Sequence, residues 1–242
     1  MKVTIAYLDE PPFGWTDASG SATGADIELA EVVLRAIGVA QVEHRLTTFA
    51  ELLPGVENGL WDMNVPLFVT PQRMVSVDFS LPVWAIADGF LVRAGNPMKL
   101  DSYESVAKCN TARLGIVVGQ VQREAAQSAG VADGQIVPFD RQGEAIDALC
   151  AGRIDAYAST ALGNRILADR VGHELVDAVP HAHDRIAGYS FPKGAFSFSK
   201  TNHGLRNNFD QYLRLYLGSA DHRRRMLRFG LTGNEIDPVV LD

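Results

Sequence analysis

Three short segments of this sequence carry groups that could bind a small charged molecule. Glu10–Phe13 follows the first strand-like run, and Phe68–Arg73 follows a later one. A carboxylate beside a phenyl ring suits a cation, and an arginine can bind a carboxylate through two parallel hydrogen bonds. In the third segment, Val117–Val121, a strand runs into a helix beginning near Gln122, where main-chain N–H groups can hold an anion. Each segment also has an ordinary interpretation, as a surface turn, a surface ion pair or a β–α turn.

Other patterns of chemistry are missing from the sequence. It has no GxGxxG, Walker or GxSxG motif and no HExxH or CxxC pairing, so it predicts no nucleotide cofactor, no catalytic serine and no metal site. His181 and His183 are better explained as loop histidines than as metal ligands. Cys109 and Cys150 are either small buried hydrophobes or a disulfide, because each precedes a predicted strand and the two strands could be neighbours.

Composition narrows the class of partner. The chain has 242 residues, 47% of them hydrophobic, and a net charge of −7. This acidic balance argues against nucleic acid or an anionic membrane as partner, and the basic run Arg223–Arg225 is best explained as a solvated helix face. No apolar run approaches the ~20 residues of a membrane span. The sequence opens directly into a strand without a charged leader, so we expect no signal peptide in it.

Strands alternate with helices along the chain, which indicates an α/β fold with a largely parallel sheet. Val3–Leu8 is the first predicted strand. Asp26 is the expected N-cap of a helix over Ile27–Ile37, and a threonine of the pair Thr47–Thr48 should cap a second helix, which contains Pro54. The next strand is expected from Met63 to Leu67, so that both binding segments of this half follow strand ends, where open α/β sheets bind ligands.

A weak internal repeat predicts two lobes. Gly59–Met63 and Gly152–Ala156 both read as a glycine after a helix and then a strand entered through an aspartate, and they lie 93 positions apart. We expect two lobes of similar plan, with a boundary near the polar turn Arg93–Pro97. A long amphipathic helix carrying Leu205, Phe209, Leu213 and Leu217, and a shorter one around Met226, should complete the chain.

Taken together, the sequence resembles the type II periplasmic solute-binding proteins of ABC importers for polar amino acids. The resemblance covers nearly the whole chain and implies two α/β lobes joined by two crossing strands, with the ligand in the cleft between them. It also implies that residues 1–92 and 190–242 form the first lobe and residues 93–189 the second. The segments that carry it are Glu10–Phe13, Gly24–Leu29, Phe49–Pro54, Thr70–Arg73, Val77–Ser80 with Pro82, and Ala151–Asp155.

The resemblance also assigns roles to residues. The arginine after the Thr-Pro pair takes the ligand carboxylate in amino-acid binders of this family, and Arg73 has that position. The aspartate that usually takes the α-ammonium falls at about Thr160 here, the small polar residues before the Thr-Pro pair are replaced by Val65–Phe68, and the threonine of the second-lobe anion turn is Val121. These departures disfavour a standard α-amino acid as ligand.

Another branch of the family fits better. The chain is similar to ectoine and hydroxyectoine binders, which carry a glutamate before the Pro-Pro-Phe and an aromatic box. A poorly hydrated cation is held well by aromatic faces and one carboxylate, each face contributing ~0.5–2 kcal/mol, while Arg73 would hold the carboxylate. Core packing is the alternative explanation for the rings. The expected ligand-binding residues are Glu10, Phe13, Phe49, Phe68, Arg73, Gly119, Gln120, Val121, Tyr157 and Thr160.

The function implied is that of a monomeric periplasmic receptor. It closes around a compatible solute such as ectoine or a betaine, needs no cofactor, and delivers the solute to a membrane permease. Three alternatives stay open: a receptor for a polar amino acid or opine, a dehydratase of the cyclohexadienyl type with Glu10 as general acid, and the sensor module of a kinase or chemoreceptor.

Overall fold

The computed structural model describes residues 1–181 and 191–240. The chain divides into two compact α/β units. Unit 1 comprises Met1–Ala85 and Pro192–Asp242, and unit 2 comprises Ile86–Phe191. The polypeptide therefore passes between the units twice, as the resemblance predicts.

The described residues form the following strands: β1 (Lys2–Tyr7), β2 (Trp15–Thr16), β3 (Ala22–Thr23), β4 (Gln41–Leu46), β5 (Met63–Phe68), β6 (Val77–Phe79), β7 (Trp84–Ala85), β8 (Asp88–Arg93), β9 (Leu114–Val117), β10 (Ile136–Phe139), β11 (Ala156–Thr160), β12 (Val176–Pro180) and β13 (Lys193–Ser199). They form the following α-helices: α1 (Ala25–Ala36), α2 (Phe49–Glu57), α3 (Pro71–Ser76), α4 (Tyr103–Lys108), α5 (Gln122–Ser128), α6 (Gln142–Cys150), α7 (Ala161–Val171), α8 (His203–Tyr216), α9 (Ala220–Leu227) and α10 (Gly233–Val240).

The main sheet of unit 1 has the strand order β4-β1-β5-β13-β6, with β7 also paired to β13. β1 runs parallel to β4 and β5, whereas β13 is antiparallel to its neighbours. β5 is buried along its whole length, as expected for a central strand covered on both faces. The three parallel strands therefore end at one edge, and the loops after them share that edge.

The helices of unit 1 begin with local signals that the sequence contains. Thr48 is the N-cap of α2 and forms a capping box with Glu51, which confirms the expected cap. Pro54 lies inside this helix. α8 buries Leu205, Phe209 and Leu213 as its pattern predicts, and it ends at Tyr216, so Leu217 lies just beyond it.

Unit 2 repeats the plan around a sheet of order β10-β9-β11-β8-β12. β10, β9 and β11 are parallel, while β8 is antiparallel to both β11 and β12. Because β8 pairs only with strands of this sheet, it belongs to unit 2. The first boundary therefore lies at Ala85–Ile86, before β8, rather than near Arg93–Pro97 as the turn residues suggested; the second lies at Phe191–Pro192.

Two local predictions are corrected by the structure. Asp26 is not the N-cap of α1: Gly24 takes that position, and Asp26 lies in the first turn with its side chain buried. Cys109 and Cys150 are free cysteines, so the disulfide alternative is wrong. The alternative of a small buried hydrophobe is not met either, because Cys109 is half-buried and Cys150 is exposed. Within residues 1–181 and 191–240, no helix has the length and apolarity needed to cross a membrane.

Candidate ligand-binding site

Candidate residues of unit 1 come from the loops after its three parallel strands. Glu10 and Phe13 follow β1, Phe49 opens the helix that follows β4, and Arg73 follows β5. β1 lies between β4 and β5 with parallel pairing on both sides. Since the carboxyl ends of parallel strands share an edge, residues far apart in the sequence are brought together there.

Glu10 and Phe13 lie on one tight turn. The carbonyl of Glu10 accepts hydrogen bonds from the N–H groups of Phe13 (3.0 Å) and Gly14 (3.2 Å), and the Glu10 N–H donates to Gly14 (2.7 Å). The peptide bond between Pro11 and Pro12 is cis. Helix α1 is tied to this turn, because the Asp26 N–H donates to the Phe13 carbonyl at 2.9 Å. The Glu10 side chain is half-buried and the Phe13 ring is buried.

Arg73 lies in the first turn of α3 rather than on a loop. Its N–H donates to the N-cap hydroxyl of Thr70 at 3.2 Å. Its guanidinium Nη1 donates to the Phe68 carbonyl at 2.9 Å, and its Cζ lies 5.5 Å from the centre of the Phe49 ring. Only 7% of Arg73 is exposed. A main-chain bond and an aromatic face therefore fix the orientation of this guanidinium.

The aromatic rings of this edge are joined by a residue that the sequence reading did not select, Trp84. The centre of its ring lies 5.6 Å from that of Phe13 and 5.3 Å from that of Phe68. These distances are typical of favourable aromatic pairs. The three rings are nearly buried. Trp84 follows the Phe-Ser-x-Pro motif closely, which is the signal that was available in the sequence.

A second overlooked residue is Asp26, whose side chain is 2% exposed. Its Oδ1 accepts a hydrogen bond from Trp84 Nε1 at 3.2 Å. Burial holds the pKa of the Asp26 carboxyl well above its usual range; the hydrogen bond from Trp84 opposes this shift, and the nearby charge of Glu10 adds to it. The uncharged form of Asp26 is favoured as a result.

In unit 2 the main-chain N–H groups of the turn before α5 were expected to be available to an anion, and one of them is bonded within the turn. The Gln120 N–H donates to the Val117 carbonyl at 3.2 Å, so this group is used within the turn. Gly119 has a positive φ of 91°. Gln120 is buried and Val121, the N-cap of α5, is half-buried.

Two further candidates of unit 2 have structural roles. Tyr157 is fully buried, and its hydroxyl oxygen lies 3.4 Å from Gln142 Nε2. It belongs to the interior of the unit, and its contact with a ligand stays a prediction. The Thr160 hydroxyl accepts the Gly163 N–H at 3.1 Å and caps α7.

Unit 2 has a carboxylate on the strand next to Thr160, that of Asp88, which was not among the predicted residues. Asp88 is opposite Thr160 on the neighbouring strand. Its two oxygens accept hydrogen bonds from Tyr103 Oη and Gln122 Nε2, both at 2.9 Å. Unit 2 thus carries an acid at the end of its sheet where Thr160 lies. The acid comes from β8, whereas the resemblance places it on the neighbouring strand, β11.

The histidine pair adds nothing that indicates a metal. His181 is not the exposed loop histidine that was expected: it is buried, and its ring packs edge-on against Phe90 and Tyr103, with its centroid 4.5 Å from each of theirs. His183 lies outside the described residues. Across the described part of the chain, no group of three or more His, Cys, Asp or Glu side chains is placed to hold a metal ion.

Comparison with known proteins agrees with this architecture. Residues 3–216 match the family model of bacterial extracellular solute-binding proteins, family 3. The chain belongs to this family. A probable amino-acid ABC transporter periplasmic-binding protein of Sinorhizobium fredii is 30% identical over 242 residues, which cover 98% of this chain and 79% of that protein.

Among solved structures, this family 3 protein is similar to EhuB in complex with hydroxyectoine, with a TM-score of 0.87 and 25% identity over 99% of this chain and 94% of that one. An ancestral arginine-binding protein bound to glutamine has a TM-score of 0.83 at 22% identity, covering 94% and 97% of the two chains; it shows the fold alone. The predicted type II α/β fold is confirmed.

Proposed function

We propose that this family 3 protein is the periplasmic receptor of an ABC importer and binds a small zwitterion of the ectoine or betaine kind. The observation that carries the proposal is the position of Arg73, which is bonded to the main chain of Phe68 and lies over the ring of Phe49. A cation for the ligand carboxylate and aromatic faces for its positive end are therefore next to each other.

The charges of the unit 1 site support a ligand with one positive centre. Glu10 supplies a carboxylate, Arg73 supplies a cation, and burial favours the uncharged form of Asp26. A ligand with one cationic and one anionic group is complementary to these two side-chain charges. A second positive group would need a further acid, and among the proposed ligand residues of unit 1 Glu10 alone carries one.

The relatives support the same class. EhuB, the structure with a TM-score of 0.87 to this chain, was determined with hydroxyectoine, and the Sinorhizobium fredii relative is described as a probable amino-acid binding protein. Both ligand types carry a carboxylate and a cationic nitrogen. The proposed ligand residues in unit 1 are Glu10, Phe13, Phe49, Phe68 and Arg73.

The second unit's share stays a prediction. The residues to test there are Gly119, Gln120, Val121, Tyr157 and Thr160, together with Asp88. Closure of the receptor on ligand binding, and delivery to a permease by a monomer, are likewise part of the proposal. Small-angle X-ray scattering should give a smaller radius of gyration with ligand than without it, and an unchanged radius at saturating ligand would contradict closure.

The second candidate ligand is a polar amino acid or opine, which the description of the Sinorhizobium fredii relative favours. A dehydratase is disfavoured by membership of a solute-binding family. The ancestral precursor of cyclohexadienyl dehydratase is itself described as an amino-acid-binding protein and is 24% identical to this chain, and a histidine kinase sensor domain is 15% identical. Both of these likenesses show the fold alone.

A thermal-shift panel tests the proposal. Hydroxyectoine, ectoine, glycine betaine, polar amino acids and opines are each added in large excess, since a ligand at about 100 times its Kd stabilises the folded state by about 2.7 kcal/mol. We expect stabilisation by ectoines or betaines. Stabilisation by amino acids alone would reject the ligand class.

Mass spectrometry of any small molecule that copurifies with the protein identifies the ligand independently.

A further inference from the structure

The Trp84 indole fills space above a glycine in the sheet of unit 1. It is the first residue of β7 and lies opposite Gly194 on β13. A Cβ atom at position 194 would collide with the six-membered ring of Trp84, so the absence of a side chain there is what admits the indole. Only 5% of Trp84 is exposed.

The indole sets the relative position of two rings that reach the site from separate segments. Phe13 comes from the turn after β1, and Phe68 is the last residue of β5. The Trp84 ring is inclined by 41° to the Phe13 ring and by 89° to the Phe68 ring, with centroids 5.6 Å and 5.3 Å away. A change in the indole's orientation would therefore move both rings.

Asp26 fixes that orientation from a third segment. It accepts the Trp84 Nε1–H at 3.2 Å, and its own N–H is bonded to the Phe13 carbonyl at 2.9 Å. The carboxyl thus connects the indole to the same turn that carries Phe13. Inside the protein an indole N–H needs an acceptor, and an acceptor held in a helix and a turn defines one direction for it.

We infer that Trp84 is a further specificity-determining residue of this receptor: it positions Phe13 and Phe68 for a cationic ligand, and Asp26 in turn positions Trp84. The nature of the ligand in this inference rests on the proposed function. The positioning of Trp84 by Asp26 does not depend on it. Trp84 acts through the two phenyl rings, so its effect should fall on ligands whose cation is held by aromatic faces.

The test compares two pairs of variants by calorimetric titration with hydroxyectoine. Asp26→Asn keeps an oxygen acceptor for the indole, whereas Asp26→Leu removes it. Trp84→Phe removes the N–H and part of the ring, and Trp61→Phe is its matched control, because Trp61 is a buried tryptophan of the same unit that donates to Asn64 at 2.5 Å. Near-ultraviolet circular dichroism spectra are also recorded for the ligand-free proteins. The spectrum of the wild type minus that of Trp84→Phe defines the Trp84 band.

We expect Asp26→Leu and Trp84→Phe to bind hydroxyectoine about threefold to tenfold more weakly, the loss that goes with a displaced aromatic face. Asp26→Asn and Trp61→Phe should bind as the wild type does, and Asp26→Leu should lose the Trp84 band. Equal loss of affinity in Trp61→Phe and Trp84→Phe would overturn the inference, because it would indicate a general effect of stability. Wild-type affinity in Trp84→Phe would overturn it as well.

Failure of the ligand assignment has a different signature. If the wild type binds no hydroxyectoine, the assignment of this ligand fails, and the ligand-free spectra then decide the inference. Loss of the Trp84 band in Asp26→Leu with retention in Asp26→Asn would support the positioning role, and retention of the band in both variants would overturn it.

Discussion

Asp62 and Asp155 make the same pair of main-chain hydrogen bonds in two different units. The Asp62 N–H donates to the Thr4 carbonyl at 3.0 Å, and its Oδ2 accepts the Thr4 N–H at 2.7 Å. The Asp155 N–H donates to the Arg113 carbonyl at 2.8 Å, and its Oδ2 accepts the Arg113 N–H at 2.9 Å. Each aspartate joins the start of one parallel strand to its neighbour, which is the physical reason for the repeat found in the sequence.

The first prediction concerns these aspartates. Asp62→Ala should lower the free energy of unfolding by about 1–3 kcal/mol, because the Thr4 N–H loses its acceptor. Asp155→Ala should cost more, since Asp155 also forms ion pairs with Arg113 (3.1 Å) and Arg93 (3.6 Å). Urea denaturation measures both. Asp62→Asn, which keeps an acceptor oxygen, is the control, and an Asp62→Ala variant as stable as that control would contradict the prediction.

The second prediction is a pH dependence that arises from Asp26. Burial raises the pKa of this carboxyl above its ordinary value of 3.8, so the folded protein holds the proton more tightly than the unfolded chain does. Its contribution to stability is fully present below the ordinary pKa and is lost as the pH rises toward the folded-state pKa. The Asp26→Asn side chain cannot ionise, so the free energy of unfolding of this variant does not fall for this reason as the pH rises.

The measurement for Asp26 is a pair of urea titrations across a pH series. The stability of Asp26→Asn relative to the wild type should increase as the pH rises from about 4, near the ordinary aspartate value, toward neutrality. A difference between the two proteins that is constant over this range would show that Asp26 titrates normally.

The third prediction is that Gly24 cannot be replaced without disturbing the turn that carries Phe13. Gly24 has a φ of 129°, and a Cβ atom there would collide with the Phe13 carbonyl. Gly24→Ala should therefore lower both the thermal midpoint and the affinity for hydroxyectoine. Gly38→Ala is the matched control, because Gly38 also has a positive φ, of 87°, but a Cβ atom there meets nothing within 4 Å. Equal affinity in both variants would contradict the prediction.

The fourth prediction separates the two candidate ligand classes. Phe68→Leu keeps an apolar side chain of similar size but removes the aromatic face, and Arg73→Lys keeps the charge but removes the planar fork. For an ectoine-like ligand, we expect both variants to lose affinity in calorimetric titration, Phe68→Leu by about 0.5–2 kcal/mol. For a polar amino acid or opine, Arg73→Lys should lose affinity while Phe68→Leu changes little.

The sequence predicted what depends on local pattern. The Thr48 cap, the strand that leads to Glu10 and the alternation of strands and helices all follow from signals within a few residues. The pairing of Asp26 with Trp84 joins residues 58 positions apart, and no local signal reveals it. The same is true of β8, whose flanking turn suggested a boundary although its pairing partners, β11 and β12, place it in unit 2.

For the candidate site too, the sequence predicts some features and not others. Glu10 and Arg73 could be assigned to strand ends from the sequence, because each follows a predicted strand, whereas β4, which precedes Phe49, was not predicted. The depth of the aromatic rings could not be predicted, since burial depends on what packs over them; Phe13 and Phe68 are less than a tenth exposed. The complete burial of Tyr157 could not be predicted for the same reason, and Trp84 was overlooked.

The measurement that tests the central claim most directly is calorimetric titration of the wild-type receptor with hydroxyectoine and with L-arginine under identical conditions. The half-buried Glu10 carboxylate and the buried Arg73 guanidinium suit a ligand with a single charge of each sign, and the proposed unit 1 residues hold no further acid for the second cation of arginine. We predict that hydroxyectoine binds at least ~100-fold more tightly, equivalent to about 2.7 kcal/mol. Tighter binding of L-arginine would contradict the account.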